Sequence, residues 1–281
     1  MIDILKEYYG IEIKEYKEYN DGILFFVNDT NYYLTKTFFD KIYVDKCYEF
    51  YLILKTRKIK IHDFVFNKNH ELLSEEYVLL KLNDFIEQVT FNDVYLFSNI
   101  IVNEYKDYID MLSFWYKKID YLEKQVTELS KNRLVNYSFD YFVGISEQLL
   151  LYYKNNYIKQ SDNIYLAHRA LNSLDSIDFY NPLNIMGGDK YKDIISYIRL
   201  KSDWDLFLEL LDKVNSNDKI YIFVRMCFPF RYFDLVSDIV LEGKSDEELA
   251  ILLSKIKEYE DYLIEVEKVS GIHLFSWIKK E

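Results

Sequence analysis

The first part of the chain, up to about residue 95, carries polar and apolar positions in patterns typical of β-strands. Polar and apolar residues alternate over residues 9–19. Two β-rich runs, residues 22–27 and 31–38, then flank Asn28-Asp29-Thr30. A short group of turn-forming residues between two such runs predicts a β-hairpin.

Between residues 40 and 57, the spacing of the apolar positions changes to that of a helix. Apolar side chains recur there at helical spacing, at Ile42, Tyr43, Cys47, Phe50, Tyr51 and Leu54. Asp40 stands directly before them and is the predicted N-cap. Strand patterns return at residues 62–67 and 75–83. The pattern therefore predicts a sheet with one helix after its third strand.

Beyond residue 90 the pattern is almost entirely helical. The predicted helices cover residues 92–131 (one or two helices), 138–158, 203–214, 217–242 and 245–268. Ser245 is expected to open the last of these with a capping box.

Residues 161–193 form the one long irregular stretch that the sequence predicts. It holds one of the two prolines, the Gly187-Gly188 pair and several turn-forming Asn and Asp residues. We expect the glycine pair to adopt positive φ angles in a tight loop. Long loops inside compact domains usually carry function, so candidate site residues are sought here.

Composition and charge exclude several classes of protein. The chain of 281 residues can bury one large core or two modest lobes, and 50% hydrophobic residues exclude general disorder. The formal net charge of −12 argues against a nucleic-acid partner and against an anionic membrane surface. Cys47 and Cys227 match no metal-binding spacing. With no secretory signal and no long apolar run, we expect a soluble, cytoplasmic protein.

Four features of the chain carry a resemblance to a known family. Lys36 lies on the predicted third strand, and Glu49 follows 13 residues later inside the next helix. His168-Arg169 follows the apolar run IYLA. Residues 187–199, GGDKYKDIISYIR, contain Asp193 and end at Arg199.

These features, in this order, resemble the protein-kinase-like superfamily. The chain is similar to its small-molecule branch, the aminoglycoside and choline phosphotransferases, and most similar to kinase-like proteins associated with bacterial spore coats. The resemblance implies an α+β, protein-kinase-like two-lobed fold, with a small antiparallel-sheet lobe (residues 1–85) and a helical lobe (residues 86–281). The connection is expected near KLND at residues 81–84.

The resemblance also implies roles for individual residues. Lys36 matches the phosphate-binding lysine and Glu49 its ion-pair partner. Either Asp178 or Asp189 matches the metal-binding aspartate. ATP and Mg²⁺ are therefore the cofactors that the resemblance implies. For Lys36 and Glu49, the alternative is that both are solvated surface residues.

The catalytic loop departs from the family pattern. The expected catalytic aspartate, two residues after His168, is replaced by Ala170, and Asp175 stands where a metal-binding Asn is expected. Only Gly22 lies between the first two strands, where a glycine-rich loop is expected. Phosphoryl transfer depends on positioning and on neutralising the phosphates. We therefore interpret His168, Arg169 and Ala170 as a degenerate catalytic loop.

Two groups of residues keep alternative interpretations. His168 either braces the loop or takes part in acid–base chemistry, which would need an orienting carboxylate within hydrogen-bond reach. The second group contains the aspartates that either cluster around Mg²⁺ or serve as turn and N-cap residues: Asp175, Asp178, Asp189 and Asp193.

The leading hypothesis is a catalytically impaired, kinase-like protein that acts by binding protein partners, in a spore coat or a similar assembly. One alternative is an active phosphotransferase that uses ATP and Mg²⁺, with Asp175 or Asp178 as base. The other is a structural interaction protein without a nucleotide site. No Ser-His-Asp elbow, zinc spacing or dinucleotide fingerprint supports a hydrolase or an oxidoreductase.

Overall fold

The computed structural model describes residues 1–83, 88–159 and 161–278. Contacts within the chain group the residues into two compact units. One unit contains Met1–Tyr108 and Ile164–Tyr197, and the other contains Ile109–Asn163 and Ile198–Glu281. The lobe boundary predicted at residues 85 and 86 lies outside the described residues and stays a prediction.

The first unit is built on a six-stranded antiparallel sheet. Its strands are β1 (Lys17–Tyr19), β2 (Gly22–Val27), β3 (Thr30–Lys36), β4 (Asp63–Val65), β5 (Leu73–Ser74) and β6 (Tyr77–Lys81). They lie in the order β1-β2-β3-β6-β4, with β5 also paired to β6. Placing β6 beside β3 makes Lys36 the partner of Tyr77 in the ladder.

The predicted hairpin is confirmed. Strands β2 and β3 pair in register from Gly22 opposite Thr35 to Val27 opposite Thr30. Asn28 and Asp29 form the turn with φ angles of 49° and 56°. These positive values suit a two-residue turn whose twist matches the strands, and Asn and Asp tolerate them.

The strand predicted over residues 9–19 is wrong for most of its length. A helical turn, α1 (Ile2–Ile4), continues as a π-helical turn over Leu5–Tyr9, and only residues 17–19 form a strand. Ile4 and Leu5 are buried against the core residues of β2 and β3. Burial of these two apolar side chains therefore favours the helical start over an extended one.

The predicted helix with its Asp40 cap is also confirmed, as α2 (Lys41–Thr56). The Asp40 carboxylate accepts a hydrogen bond from the Tyr43 backbone amide at 2.8 Å. This satisfies one of the amides that the first turn of a helix leaves open. The buried face of α2 includes Val44, Phe50 and Leu54.

The stretch expected to be irregular contains regular structure. It holds β7 (Tyr165–His168), the short helix α6 (Ser176–Phe179) and β8 (Ile185–Gly188), and β7 and β8 pair antiparallel. The expected positive φ at Gly187 and Gly188 is wrong, because no left-handed backbone occurs there. Close packing explains the glycine instead, since a Cβ on Gly187 would lie 2.6 Å from the Tyr105 ring.

Helix α3 (Phe91–Ser98) precedes this region in the chain. It opens with a complete capping box between Thr90 and Asp93. Helix α7 (Lys192–Lys201) follows β8, and its first residues belong to the same unit as the sheet.

The second unit is helical in all of its described elements. Besides the end of α7, it contains α4 (Met111–Leu129), α5 (Arg133–Asn156), α8 (Trp204–Lys213), α9 (Ser216–Cys227), α10 (Phe230–Glu242), α11 (Glu247–Ser254) and α12 (Ile256–Ser270). Among the described residues, no helix is both long and apolar enough to cross a membrane.

Two predicted helices are each divided in the structure. Residues 217–242 form α9 and α10, which meet at Pro229, because proline lacks an amide hydrogen and cannot continue a helix. Residues 245–268 form α11 and α12, which meet at Lys255. The capping box expected at Ser245 is absent. Asp246 is the N-cap of α11 and makes no side-chain capping bond.

Candidate functional site

Lys36 is the last residue of β3, and its ion-pair partner is Glu76. Lys36 Nζ lies 2.9 Å from Glu76 Oε1, and this hydrogen bond raises the pKa of Lys36. Glu76 directly precedes β6, so the β3–β6 register brings it beside Lys36. The expected direct ion pair between Lys36 and Glu49 does not form, because Lys36 pairs with Glu76 and Glu49 is exposed on α2 with no ion pair among the described residues. A cofactor-binding role for Lys36 and Glu49 stays a prediction.

His168 and Asp193 form a buried ion pair in the first unit. His168 Nδ1 lies 2.7 Å from Asp193 Oδ2, and the His168 backbone amide donates to the same oxygen at 2.9 Å. Burial by itself would raise the pKa of Asp193. The contacts with His168 outweigh it and hold that pKa below its ordinary value. Asp193 therefore remains a carboxylate that anchors the end of β7.

The second ring nitrogen of His168 also faces an acceptor. Nε2 lies 2.7 Å from the carbonyl oxygen of Phe179. Because both partners only accept, both nitrogens must carry a proton for both hydrogen bonds to form. The ring also lies between Phe97 and Phe179, with centroids 4.8 Å and 4.4 Å away. With both nitrogens occupied, this geometry favours bracing over proton transfer.

Arg169 is held by packing and by hydrogen bonds. Its guanidinium carbon lies 4.5 Å from the ring centroid of Tyr43 and 5.3 Å from that of Phe39. Its Nε donates to the Leu183 carbonyl at 3.2 Å. Burial lowers the pKa of Arg169. The side chain thus attaches the loop after β7 to the start of α2.

Ala170 is exposed, and the side chain of Asn184 holds its backbone from both sides. The Ala170 amide donates to Asn184 Oδ1 at 3.3 Å, and Asn184 Nδ2 donates to the Ala170 carbonyl at 2.9 Å. At position 170 the chain therefore presents a methyl group on a fixed backbone.

Asp178 receives hydrogen bonds from three neutral side chains. Tyr19, Asn20 and Ser173 donate to its Oδ2 atom, at 3.1, 3.2 and 2.8 Å. Burial and the neighbouring carboxylate of Asp178 raise the pKa of Tyr19, so this hydroxyl stays a donor. Among the described residues, Asp178 Oδ1 has only a longer contact, 3.4 Å to Asn20.

The remaining aspartates have separate roles. Asp175 is the N-cap of α6, where its Oδ1 accepts from the Ile177 amide at 2.8 Å. Asp189 Oδ1 accepts from the Tyr108 hydroxyl at 2.6 Å. Among the described residues, no three His, Cys, Asp or Glu side chains come together as a metal site. The alternative in which the four aspartates cluster around a metal is therefore not found among the described residues, and the N-cap alternative holds for Asp175.

Asp178 and Asp189 stay the predicted metal ligands. Asp178 Oδ1 and Asp189 Oδ2 make no hydrogen bond shorter than 3.4 Å to a described residue. Carboxylate oxygens of this kind are ligands that Mg²⁺ accepts. Binding of Mg²⁺ by Asp178 and Asp189, and of phosphates by Lys36, stays a prediction.

Three residues that shape this region were not predicted from the sequence: Tyr19, Glu76 and Asn184. Each acts on a residue far away in the chain, so no local pattern marks it. The one available signal was the position of Asn184 directly before a short apolar run, after a proline-containing turn.

Comparison with known proteins shows the fold. No family model matches the chain, and no curated protein sequence matches it. Among solved structures, it is similar to an aminoglycoside phosphotransferase from Alicyclobacillus acidocaldarius subsp. acidocaldarius DSM 446, with 9% identity, 94% of each chain covered and a TM-score of 0.61. It is also similar to the AMP-bound spectinomycin phosphotransferase APH(9)-Ia, with 14% identity, 99% of this chain and 98% of that chain covered, and a TM-score of 0.50.

At such low identities the likeness concerns the fold. The neighbours are aminoglycoside phosphotransferases of the protein-kinase-like superfamily. The predicted fold class, an antiparallel sheet combined with a helical lobe in a kinase-like arrangement, is confirmed.

Proposed function

We propose that this protein is a catalytically impaired member of the kinase-like small-molecule phosphotransferase fold and that it acts by binding. The observation that carries the proposal is Ala170, a methyl group on a backbone held by Asn184. Phosphoryl transfer to a hydroxyl needs a group at this place that accepts and orients the hydroxyl proton.

The two carboxylates that are nearest in the loop are already engaged. Asp175 caps α6, and three donors occupy Oδ2 of Asp178. A substrate hydroxyl would have to displace these donors or use the remaining oxygen of Asp178. Nucleotide binding is compatible with this arrangement, with Lys36 near the phosphates and Asp178 and Asp189 as ligands of Mg²⁺.

The second candidate is an active phosphotransferase for which Asp178 Oδ1 serves as the base. One observation favours it: this oxygen has no short hydrogen bond to a described residue. Its substrates would be aminoglycosides, since the similar structures are named for aminoglycoside and spectinomycin phosphorylation. Choline and hydroxylated sugars are the further substrates that the resemblance suggests.

Two measurements on the purified protein separate these candidates. We expect ATP with Mg²⁺ to raise the melting temperature, because a ligand that binds only the folded state stabilises it. This rise should disappear in Lys36→Ala. We expect no ATP turnover above background with spectinomycin, other aminoglycosides, choline or sugars.

Two matched variants show whether any ATP turnover depends on Asp178. Asp178→Asn removes the candidate base, and Asp162→Asn is its control, since the Asp162 side chain is 97% exposed. Turnover that Asp178→Asn abolishes and Asp162→Asn retains would replace the binding function with the enzyme. No melting shift at millimolar nucleotide would leave the third hypothesis, an interaction protein without a nucleotide site.

Protein partners belong to the same proposal. Association with a spore coat or a similar assembly rests on the sequence resemblance alone. Fractionation of the host cells, with an antibody against this chain, tests it. Recovery in an insoluble coat fraction supports the assembly, and recovery only in the cell extract contradicts it.

A further inference from the structure

The second unit contains a cavity of about 420 Å³ that has no role in the proposed function. Every residue that lines it belongs to this unit, where the ends of α7, α9 and α11 meet the starts of α8, α10 and α12. Small-molecule sites usually measure roughly 300–1,000 Å³. The volume therefore suits a small organic ligand.

Aromatic rings form much of the cavity wall. They are contributed by Phe142, Trp204, Tyr232, Tyr259 and Tyr262. The Tyr259 and Tyr262 hydroxyls already donate to the backbone carbonyls of Cys227 and Met226, at 2.8 and 3.1 Å. These two tyrosines thus present ring surface more than hydrogen-bonding capacity, and rings of this kind favour a flat or apolar ligand body.

Arg199 is the partly buried cationic side chain of this wall, and among the described residues it has no ion-pair partner. Its Nη1 atom is buried and has no hydrogen-bond partner, and no described carboxylate pairs with the guanidinium. Its visible contact is with the ring of Phe230, whose centroid lies 4.2 Å from the guanidinium carbon. The Arg199 side chain is partly buried, and a partly desolvated cation without a counter-ion is costly, so an anion in the cavity would compensate it.

The other charged residues of the cavity wall either have an ion-pair or hydrogen-bond partner or are exposed to solvent. Arg231 is paired with Glu248, and the Asp203 carboxylate caps α8 by accepting from the Leu206 amide at 2.9 Å. Lys255 and Glu258 are exposed, and neither has a counter-ion within the wall. Helix starts and helix ends both line the cavity, so the helix dipoles favour neither a positive nor a negative ligand. Arg199 is therefore the group that favours a negatively charged ligand.

We propose that this cavity binds a small organic anion, with the aromatic wall holding its apolar or aromatic body and Arg199 holding its carboxylate or phosphate. The Nη1 atom faces protein, so the anion would meet the part of the guanidinium side chain that lines the cavity. The proposal goes beyond the function proposed above and does not rest on it.

The test uses four probes of one size with different head groups: phenylacetate, phenyl phosphate, benzyl alcohol and benzylamine. Titration calorimetry on the full chain measures affinity, and Trp204 in the wall supplies a fluorescence signal. We expect at least one anion to bind saturably and at least about tenfold more tightly than the alcohol and the amine. The preferred anion distinguishes a carboxylate from a phosphate ligand.

Two arginine variants form a matched pair. Arg199→Gln should weaken anion binding at least about tenfold, whereas Arg231→Gln, whose arginine is already ion-paired, should change it less than about twofold. Arg199→Lys keeps the charge and should retain part of the affinity. If Arg199→Gln does not fold, the affinities of the anions and of benzyl alcohol for the wild-type protein still test whether the cavity prefers an anion.

Three results would overturn the proposal. They are no saturable binding of either anion, binding of benzylamine as tight as that of the anions, and unchanged anion affinity in a folded Arg199→Gln. Any one of them means that Arg199 does not select an anion in this cavity.

Discussion

His168 and Asp193 are joined at 2.7 Å inside the protein, where their side chains are 0% and 1% exposed. The pair connects the end of β7 to the first turn of α7 and lies against Phe97 and Phe179. A pair that is this buried depends on both partners, because removing one of them leaves buried polar atoms of the other without their hydrogen-bond partner.

Removal of one partner should therefore destabilise the protein strongly. We expect His168→Ala to lower the free energy of unfolding by about 3 kcal/mol or more. Asp193→Asn should also lower it, and the double variant should cost less than the sum of the two single changes. Urea unfolding at neutral pH measures all three variants. Strictly additive costs would mean that the two side chains do not interact.

The pair of His168 and Asp193 should also make the free energy of unfolding depend on pH in the acid range. The pKa of Asp193 lies below its ordinary value of 3.8 in the folded protein, so the unfolded chain takes up this proton more readily. The stabilisation is complete above the unfolded pKa and is lost as the pH falls through the folded pKa. The difference in unfolding free energy between the wild-type protein and Asp193→Asn should thus be largest near about pH 5 and shrink below pH 3.8. A difference that grows on acidification would contradict this assignment.

Two glycines should respond in opposite ways to alanine. A Cβ on Gly22 would clash with the Leu34 carbonyl oxygen and lie 2.8 Å from the Tyr33 ring, so Gly22→Ala should cost about 1–3 kcal/mol. Gly144 is exposed inside α5, and a methyl group there would meet no atom within 4 Å beyond its own stretch of helix. Gly144→Ala should therefore stabilise by about 0.5–1 kcal/mol. Thermal unfolding of both variants checks the signs, and a neutral Gly22→Ala would refute the close contact.

Glu76 and Glu49 offer a test of which acid serves Lys36. If Lys36 meets the phosphates of a nucleotide, Glu76→Gln should change the melting shift produced by ATP and Mg²⁺, because Glu76 orients the lysine at 2.9 Å. Glu49→Gln should leave that shift unchanged. The reverse outcome would restore the pair that the sequence predicted.

The pairing of Lys36 with Glu76 also shows which contacts could be predicted from the sequence and which could not. The hairpin of β2 and β3 and the cap of α2 were predictable, because Asn28, Asp29 and Asp40 act on residues within three positions of themselves. Glu76 reaches Lys36 only because β6 lies beside β3 with Tyr77 opposite Lys36. The order of strands in a sheet is a long-range property that periodicity does not encode.

The site shows the same limit. The sequence placed His168 and Asp193 in one candidate region, yet it did not pair them. It drew attention to Ala170, but the residue that fixes the Ala170 backbone is Asn184, 14 positions away. Contacts of this kind depend on how β7 and β8 pair, and the stretch was expected to be irregular.

Asn184 should prove more important for stability than the position that it holds. Ala170 is exposed, so Ala170→Asp should change the free energy of unfolding by no more than about 0.5 kcal/mol. Asn184→Ala removes both hydrogen bonds to the Ala170 backbone and should cost about 1–2 kcal/mol. Asn184→Asp keeps an acceptor for the Ala170 amide but turns an oxygen towards the Ala170 carbonyl, so its cost should be at least as large. Urea unfolding compares the three variants. If Asn184→Ala were as stable as the wild-type protein, the loop backbone would be held by other contacts, and Ala170 would not mark a fixed position in it.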